Sequence, residues 1–154
     1  MLNNMLGGDV HSLLFDVVRE QMGLAYSVFS APFRYLSSIV LVAGVAPEKT
    51  TIAIECMKLQ VERLKNNDFD DVLYQSALES ISYSYRAISD DLHSMVSYYL
   101  NANTAGRNVS LQNALSFLKD ITREKIVEAA KKLEISVQYT LSQSKTGQGD
   151  GQEE

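Results

Sequence analysis

Residues 6–33, with the sequence LGGDVHSLLFDVVREQMGLAYSVFSAPF, decide how this chain folds. Apolar residues recur here with the spacing of one helix face: Val10, Leu13, Leu14, Val17 and Val18. Gly23 stands where a glycine in the left-handed conformation ends a helix. From Leu24 onward, β-forming residues predict a strand. The stretch therefore predicts a helix, a glycine turn and a strand, with Arg19 and Tyr26 brought close together by the turn.

The strands that follow the turn predict an antiparallel hairpin. Residues 24–33 and 36–45 are rich in β-formers and meet around Arg34 and Tyr35. The second strand contains the continuously apolar run IVLVAGV, which predicts burial on both faces and a central place in a sheet. Because two strands alone make a marginal sheet, we expect further partners. These come either from residues 137–141, which alternate as a closing strand should, or from a part of the sheet outside this sequence.

The rest of the chain predicts helices. The first helix is predicted from Pro47 to about Lys65. A long helical region over 69–102 follows, capped by Asn67 or Asp68 and divided at 89–91. Two short helices, capped by Ser110 and Thr122, come after it. Within the long region, a packed face is predicted for Ile81, Tyr85, Ile88, Leu92, Met95 and Tyr99. The fold class is α+β, a small antiparallel sheet covered on one side by helices, in the order α-β-β-α-α-α-α-β. Residues 1–141 are predicted to form one partial domain and residues 142–154 a disordered tail.

Composition excludes several classes of function. A chain of 154 residues with 45% hydrophobic and 21% charged residues is typical of one globular domain. The net charge of −5 argues against nucleic acid as a partner. Cys56 has no second cysteine to pair with, and the longest apolar run, residues 39–46, is too short to cross a membrane. We therefore expect a cytoplasmic protein without a nucleic-acid or membrane partner.

The chain has no catalytic centre that can be assembled from its residues. A zinc peptidase helix with the order His-x-x-Glu-His needs two histidines for the metal and a glutamate to activate water. His11 is followed by SLLF and His93 by SMVS, so neither histidine fits this motif. Both are expected to be surface or capping residues, and we predict no metal site.

The opening stretch resembles the C-terminal, non-zinc-ligating half of the pitrilysin-type zinc metallopeptidases, a group that includes insulinase-like and mitochondrial-processing-peptidase-like enzymes. The resemblance is carried by a glycine-rich turn, a helix with Leu-Phe and Arg-Glu pairs, and Gly-Leu-Ala-Tyr opening a strand. The matching residues are Gly7, Gly8, Leu14, Phe15, Arg19, Glu20, Gly23, Leu24, Ala25 and Tyr26. The order of elements agrees with the family almost to Leu141. This agreement, together with an uncapped apolar turn at the start of the sequence, predicts that the chain is the later part of a C-terminal domain.

The resemblance implies a role for Arg19 and Tyr26. In family enzymes an arginine and a tyrosine seven residues apart lie across the cavity from the zinc, where they bind the substrate backbone and stabilise the developing oxyanion. A guanidinium and a phenol are suitable donors for that purpose. The alternative is structural: Arg19 offsets the helix dipole and pairs with Asp16, and Tyr26 packs in the sheet.

Two functions from different classes follow. The first is a substrate-binding and structural half of a zinc metallopeptidase. Its zinc ligands would lie in the family's N-terminal catalytic half or in a partner subunit, and its substrate would be a peptide. The second is a non-catalytic paralogue that serves as a structural or protein-interaction subunit. An unrelated helical adaptor is a weaker third possibility. In each case the chain alone is expected to be inactive and free of zinc, and an exposed sheet edge would make it a homo-oligomer.

Overall fold

The computed structural model describes residues 1–33, 36–107 and 109–142. Its elements are two π-helices (Asn4–Gly8 and Leu14–Gln21), strands β1 (Ala25–Phe33) and β2 (Ser38–Val45), a 3-10 turn (Pro47–Lys49), and helices α1 (Thr50–Lys65), α2 (Asp71–Asp90), α3 (Leu92–Thr104), α4 (Leu111–Lys119) and α5 (Arg123–Lys131). The predicted α+β class is confirmed. The predicted turn at residues 34 and 35 and the predicted tail from residue 143 lie outside the described residues.

The sheet is covered on one side. Strands β1 and β2 pair antiparallel, with Phe29 opposite Val42 and Val28 opposite Ala43. Val28 and Ser30 face the helices and are buried, whereas Phe29 and Val42 are 47% and 39% exposed on the outer face. The alternation follows from the period of two along a strand. The predicted one-sided covering is therefore confirmed.

The core forms where the two π-helices meet β1 and α1. Met5, Leu6, Leu14, Val18 and Leu64 have no exposed surface in this core, and residues of α5 complete it. Burial of a side chain of this size contributes about 1.5–3 kcal/mol relative to leaving it exposed.

Val10 does not belong to the buried stripe that the sequence predicts. It is 60% exposed, because the second π-helix begins at Leu14 and leaves Val10 in the preceding turn. The other predicted members follow the prediction: Leu13, Leu14 and Val18 are buried, and Val17 is partly buried against the core.

The helix caps follow the local sequence closely. The side chains of Asp91, Ser110 and Thr122 accept hydrogen bonds from the backbone N–H three residues later, as N-caps do. The cap of α2 is Asp70, at 2.8 Å from the Leu73 nitrogen, and not Asn67 or Asp68 as the sequence predicts. The division of the long helical region is confirmed, because Asp91 interrupts it.

Within the described residues the sheet partner of β2 is β1, and a second neighbour from a part of the sheet outside this sequence stays a prediction. Two other predictions are wrong. Residues 137–141 do not form a strand in the described structure, and Val137 is 83% exposed. The predicted packed face fails at Leu92 and Tyr99, which are 76% and 40% exposed, because α3 packs on α2 and buries none of its residues in the core.

Asp9 links the turn between the two π-helices to α2. Its Oδ2 accepts a hydrogen bond from the Ser80 hydroxyl, and its Oδ1 accepts one from the His11 backbone N–H at 3.1 Å. Partial burial raises the pKa of Asp9, but these hydrogen bonds and the nearby His11 together outweigh it. The net pKa therefore lies below its usual value.

We expect Asp9→Asn to lower the free energy of unfolding by about 1 kcal/mol at pH 7. Because folding lowers the pKa of Asp9, its contribution is present above the ordinary value of 3.8 and is lost as the pH falls through the folded value. Urea unfolding at a series of pH values should show the two proteins converging below pH 3.8. Glu79→Gln, at an exposed carboxylate beside Ser80, is the control; a gap that persists in acid would contradict the assignment.

Candidate functional site

A glycine turn joins the second π-helix to β1. Gly23 has a φ of +56°, and no atom lies within 4 Å of the position a Cβ would occupy, so this glycine is needed for its backbone conformation. The N–H groups of Met22, Gly23 and Leu24 donate to carbonyls of the helix at 2.9–3.1 Å. These bonds satisfy carbonyl groups at the C-terminal end of the helix, where the chain reverses direction as the sequence predicts.

Contacts with α1 and with the 3-10 turn before it hold this turn in place. The Lys49 Nζ donates to the Gly23 carbonyl at 2.9 Å, and the Cys56 Sγ donates to the Met22 Sδ at 3.4 Å. Burial raises the pKa of the Cys56 thiol, against a smaller lowering effect of Gln60. The thiol therefore stays protonated at neutral pH and keeps its donor. Neither contact has a signal in the sequence, because both join residues more than 25 positions apart.

Arg19 lies on the surface at the end of the second π-helix. Its guanidinium carbon is 4.6 Å from the centroid of the Phe15 ring, and its Nε is 3.5 Å from the Glu20 Oε1. The pair with Asp16 that the structural alternative predicts is not formed; the Asp16 carboxylate accepts from the Gln21 side chain at 2.7 Å. An exposed pair such as Arg19–Glu20 is worth at most about 1 kcal/mol. The pair with Glu20 therefore does little to hold the guanidinium in place.

A β-bulge turns Tyr26 outward. Ala25 pairs with Val45 and Ser27 with Gly44, so β1 carries one residue more than β2 at this point. The extra residue is Tyr26, and its side chain is 77% exposed. Bulges commonly re-aim side chains next to functional sites. The sheet packing that the structural alternative predicts for Tyr26 is not found.

The two predicted donors thus lie on the surface on either side of one anchored turn. Arg19 is on the helix that enters the turn and Tyr26 on the strand that leaves it. The outer sheet face next to the bulge is apolar, with Phe29, Val40 and Val42 exposed. This exposed face is not what the sequence predicts, because the continuous apolar run of β2 indicates burial on both sides.

His11 and His93 are not part of this arrangement. Both are exposed, as predicted, and the His11 backbone bonds to Asp9. Among the described residues, no group of three or more His, Cys, Asp or Glu side chains could hold a metal ion. The donor set of this part of the chain therefore does not fit the zinc ion that the family's catalytic half implies.

A family model described as "Peptidase M16 inactive domain" matches residues 1–81, a stretch that includes the turn, the sheet and α1. The chain belongs to this family. Its membership confirms the resemblance to the C-terminal half of pitrilysin-type peptidases and excludes the unrelated helical adaptor.

Two relatives of this M16 domain come from Bacillus subtilis (strain 168). The chain is 25% identical over 149 residues to "Probable inactive metalloprotease YmfF", covering 92% of this chain and 33% of that protein. It is 26% identical over 136 residues to "Uncharacterized zinc protease YmxG", covering 86% of this chain and 33% of that protein. The chain therefore spans about a third of the length of these relatives.

Solved structures share the fold of the M16 domain. A conserved protein from Enterococcus faecalis V583 superposes with a TM-score of 0.77 at 20% identity, covering 84% of this chain and 31% of that one. A protease from Helicobacter pylori superposes with a TM-score of 0.72 at 16% identity, covering 84% of this chain and 32% of that one. At these identities the likeness concerns the fold. Within the described residues, no helix is both long and apolar enough to cross a membrane.

Proposed function

We propose that this chain is the substrate-binding and structural half of a pitrilysin-type zinc metallopeptidase. Arg19 and Tyr26 bind the backbone of a peptide substrate, and the zinc ligands belong to a catalytic half outside this sequence. The observation that carries the proposal is the exposure of both donors at an anchored turn. Arg19 is held by a weak surface pair with Glu20 and by its contact with the Phe15 ring, and Tyr26 is turned outward by a bulge. Membership of the M16 family supports it.

The chemistry suits a peptide carbonyl. A guanidinium and a phenol both donate hydrogen bonds to an oxygen that gains negative charge. The anchors from Lys49 and Cys56 keep the turn rigid, so the donors need little reorganisation when a substrate binds. Binding of the peptide backbone by these donors tolerates many side chains.

The test measures peptide binding. The protein is purified through a tag on the full chain, so that any other half that assembles with it is purified too. The probe is a fluorescein-labelled peptide of alternating valine and serine, and the readout is anisotropy. We expect Arg19→Ala and Tyr26→Phe each to weaken peptide binding about tenfold, because each variant loses one hydrogen bond to an uncharged carbonyl group.

Matched controls lie on α2, away from the turn. Tyr83 is 74% exposed, almost as much as Tyr26, and Arg86 is an exposed arginine. Tyr83→Phe and Arg86→Ala should leave the affinity unchanged. Equal affinity of all four variants and the wild type would refute the role of Arg19 and Tyr26.

A second function is favoured by one of the comparisons. The relative that matches 92% of this chain is named a probable inactive metalloprotease. In this alternative the chain belongs to a non-catalytic paralogue and serves as a structural or protein-interaction subunit. An assembly without zinc and without peptide hydrolysis would support this alternative over the first.

A further inference from the structure

The Arg19 guanidinium lies over an aromatic ring of its own helix. Its Cζ is 4.6 Å from the centroid of the Phe15 ring, within the distance at which a cation is attracted to the face of an aromatic ring. Phe15 stands four residues before Arg19, a spacing at which side chains are neighbours on a helix surface. The contact therefore joins two residues of the second π-helix and needs no other element of the fold.

The acidic side chain that could draw Arg19 away from this ring is bound by another partner. Asp16 lies three residues before Arg19, where opposite charges on a helix commonly pair. Instead, the Asp16 Oδ2 accepts a hydrogen bond from the Gln21 Nε2 at 2.7 Å. This pairing over five residues fits a π-helix, whose backbone hydrogen bonds also join residues five apart. The neighbouring carboxylate, on Glu20, forms an exposed pair with Arg19 that contributes little.

Carbonyl groups at the C-terminal end of the helix are also bound by other donors. A cationic side chain in the last turn of a helix is attracted to these carbonyls by the helix dipole. However, the Gly23 carbonyl accepts from the Lys49 Nζ at 2.9 Å, and the Val18 and Arg19 carbonyls accept from backbone N–H groups. Lys49 thus supplies positive charge at this helix end, whereas the Arg19 side chain turns back toward Phe15.

We propose that Phe15 is a positioning residue for Arg19, and that its ring holds the guanidinium where it binds the backbone carbonyl of a peptide substrate. This inference rests on the proposed function of Arg19. A guanidinium is planar and carries its five N–H donors in that plane, so a ring on its face uses none of them. A substrate carbonyl can therefore accept a hydrogen bond from the edge of the guanidinium while the ring stays in contact with its face.

The ring acts before a substrate binds, by limiting the positions of a long and flexible side chain. The apparent affinity for a ligand falls with the fraction of molecules in which the binding group is already in place. Loss of an exposed cation–π contact lowers that fraction about threefold. We therefore expect Phe15→Leu to weaken peptide binding about threefold, a smaller loss than the one expected for Arg19→Ala.

Anisotropy of the fluorescein-labelled valine–serine peptide, with the assembly purified through a tag on the full chain, tests the proposal. Phe15→Tyr keeps an aromatic face and should retain the wild-type affinity, unlike Phe15→Leu. In the Arg19→Ala background, Phe15→Leu should have no further effect, because the side chain that the ring positions is gone. Phe117→Leu is the matched control and should bind as the wild type does, since Phe117 is 57% exposed on α4.

The position of Arg19 can also be measured without a substrate. A nucleus over the face of an aromatic ring resonates upfield because of the ring current. In the NMR spectrum of the full chain, we expect the Arg19 Hε resonance to move downfield in Phe15→Leu and to stay in place in Phe15→Tyr. Arg123, whose Cζ is 4.2 Å from the centroid of the Phe69 ring, is the internal reference and should not move in either variant.

Three results would overturn this inference and leave the proposed function intact. The first is an Arg19 resonance that Phe15→Leu does not move. The second is wild-type affinity of Phe15→Leu when Arg19→Ala weakens binding. The third is an equal loss of affinity from Phe15→Leu with and without Arg19→Ala, which would show that the ring acts through the fold. Wild-type affinity of Arg19→Ala would instead refute the binding role of Arg19, and this inference with it.

Discussion

Replacing Arg19 by alanine or Tyr26 by phenylalanine is expected to lower the kcat of the zinc-containing assembly about 10²-fold, the typical effect of losing one donor to a developing oxyanion. The proposal assigns both side chains to the carbonyl oxygen that gains charge during hydrolysis. Each variant removes one donor from an exposed position, so the fold should be unaffected. The assay follows the hydrolysis of fluorescein-labelled casein, and the midpoint of thermal unfolding is measured for each variant.

The division of the effect between kcat and KM distinguishes this role from binding alone. Loss of a donor that binds the peptide and also stabilises the transition state lowers kcat, and lowers kcat/KM further because peptide binding is weaker, whereas loss of a residue that only binds raises KM and leaves kcat unchanged. Arg19→Lys keeps the charge but loses the planar fork, and should recover only part of the activity. Tyr83→Phe and Arg86→Ala should match the wild type. Unchanged kcat in both Arg19→Ala and Tyr26→Phe would refute the assignment.

Leu14→Ala is expected to lower the free energy of unfolding by about 2–5 kcal/mol, the typical cost of truncating a fully buried leucine. Leu14 is fully buried, and its Cδ1 lies 2.7 Å from the position that a Cβ on Gly7 would take. It therefore fills the space between the two π-helices and β1. Because whole domains are stable by only about 5–15 kcal/mol, this loss would approach unfolding.

Urea unfolding measures this effect directly. Leu59→Ala on α1 is the matched control, since Leu59 is 58% exposed and should cost less than about 1 kcal/mol. Equal losses at the two leucines would mean that Leu14 is not the central packing residue of this core.

The local features of this fold could be predicted from the sequence, because each depends on a few neighbouring residues. Ser110, Thr122 and Asp91 cap helices through bonds to N–H groups three residues away. Gly23 ends a helix because its φ angle is positive. The positions of Arg19 before that turn and of Tyr26 after it follow from the same local pattern, whereas their role as donors stays a prediction.

The features that could not be predicted depend on distant residues. The continuous apolar run of β2 predicts neighbours on both sides, but the described residues supply one partner strand. Whether residues 137–141 join the sheet depends on where α5 leaves the core, which no local pattern shows. The outward turn of Tyr26 results from a register shift against Val45 and Gly44, and such a bulge has no signature in the single strand.

The measurement that tests the central claim most directly is the zinc content of the assembly purified through a tag on this chain, taken together with its hydrolysis of fluorescein-labelled casein. The account predicts zinc in the assembly, bound by a partner half with a His-x-x-Glu-His helix, and hydrolysis that a chelator abolishes. The same chain purified alone should contain no zinc, because its described residues do not fit a metal site. An assembly that contains neither zinc nor peptidase activity would contradict the account and establish a structural subunit instead.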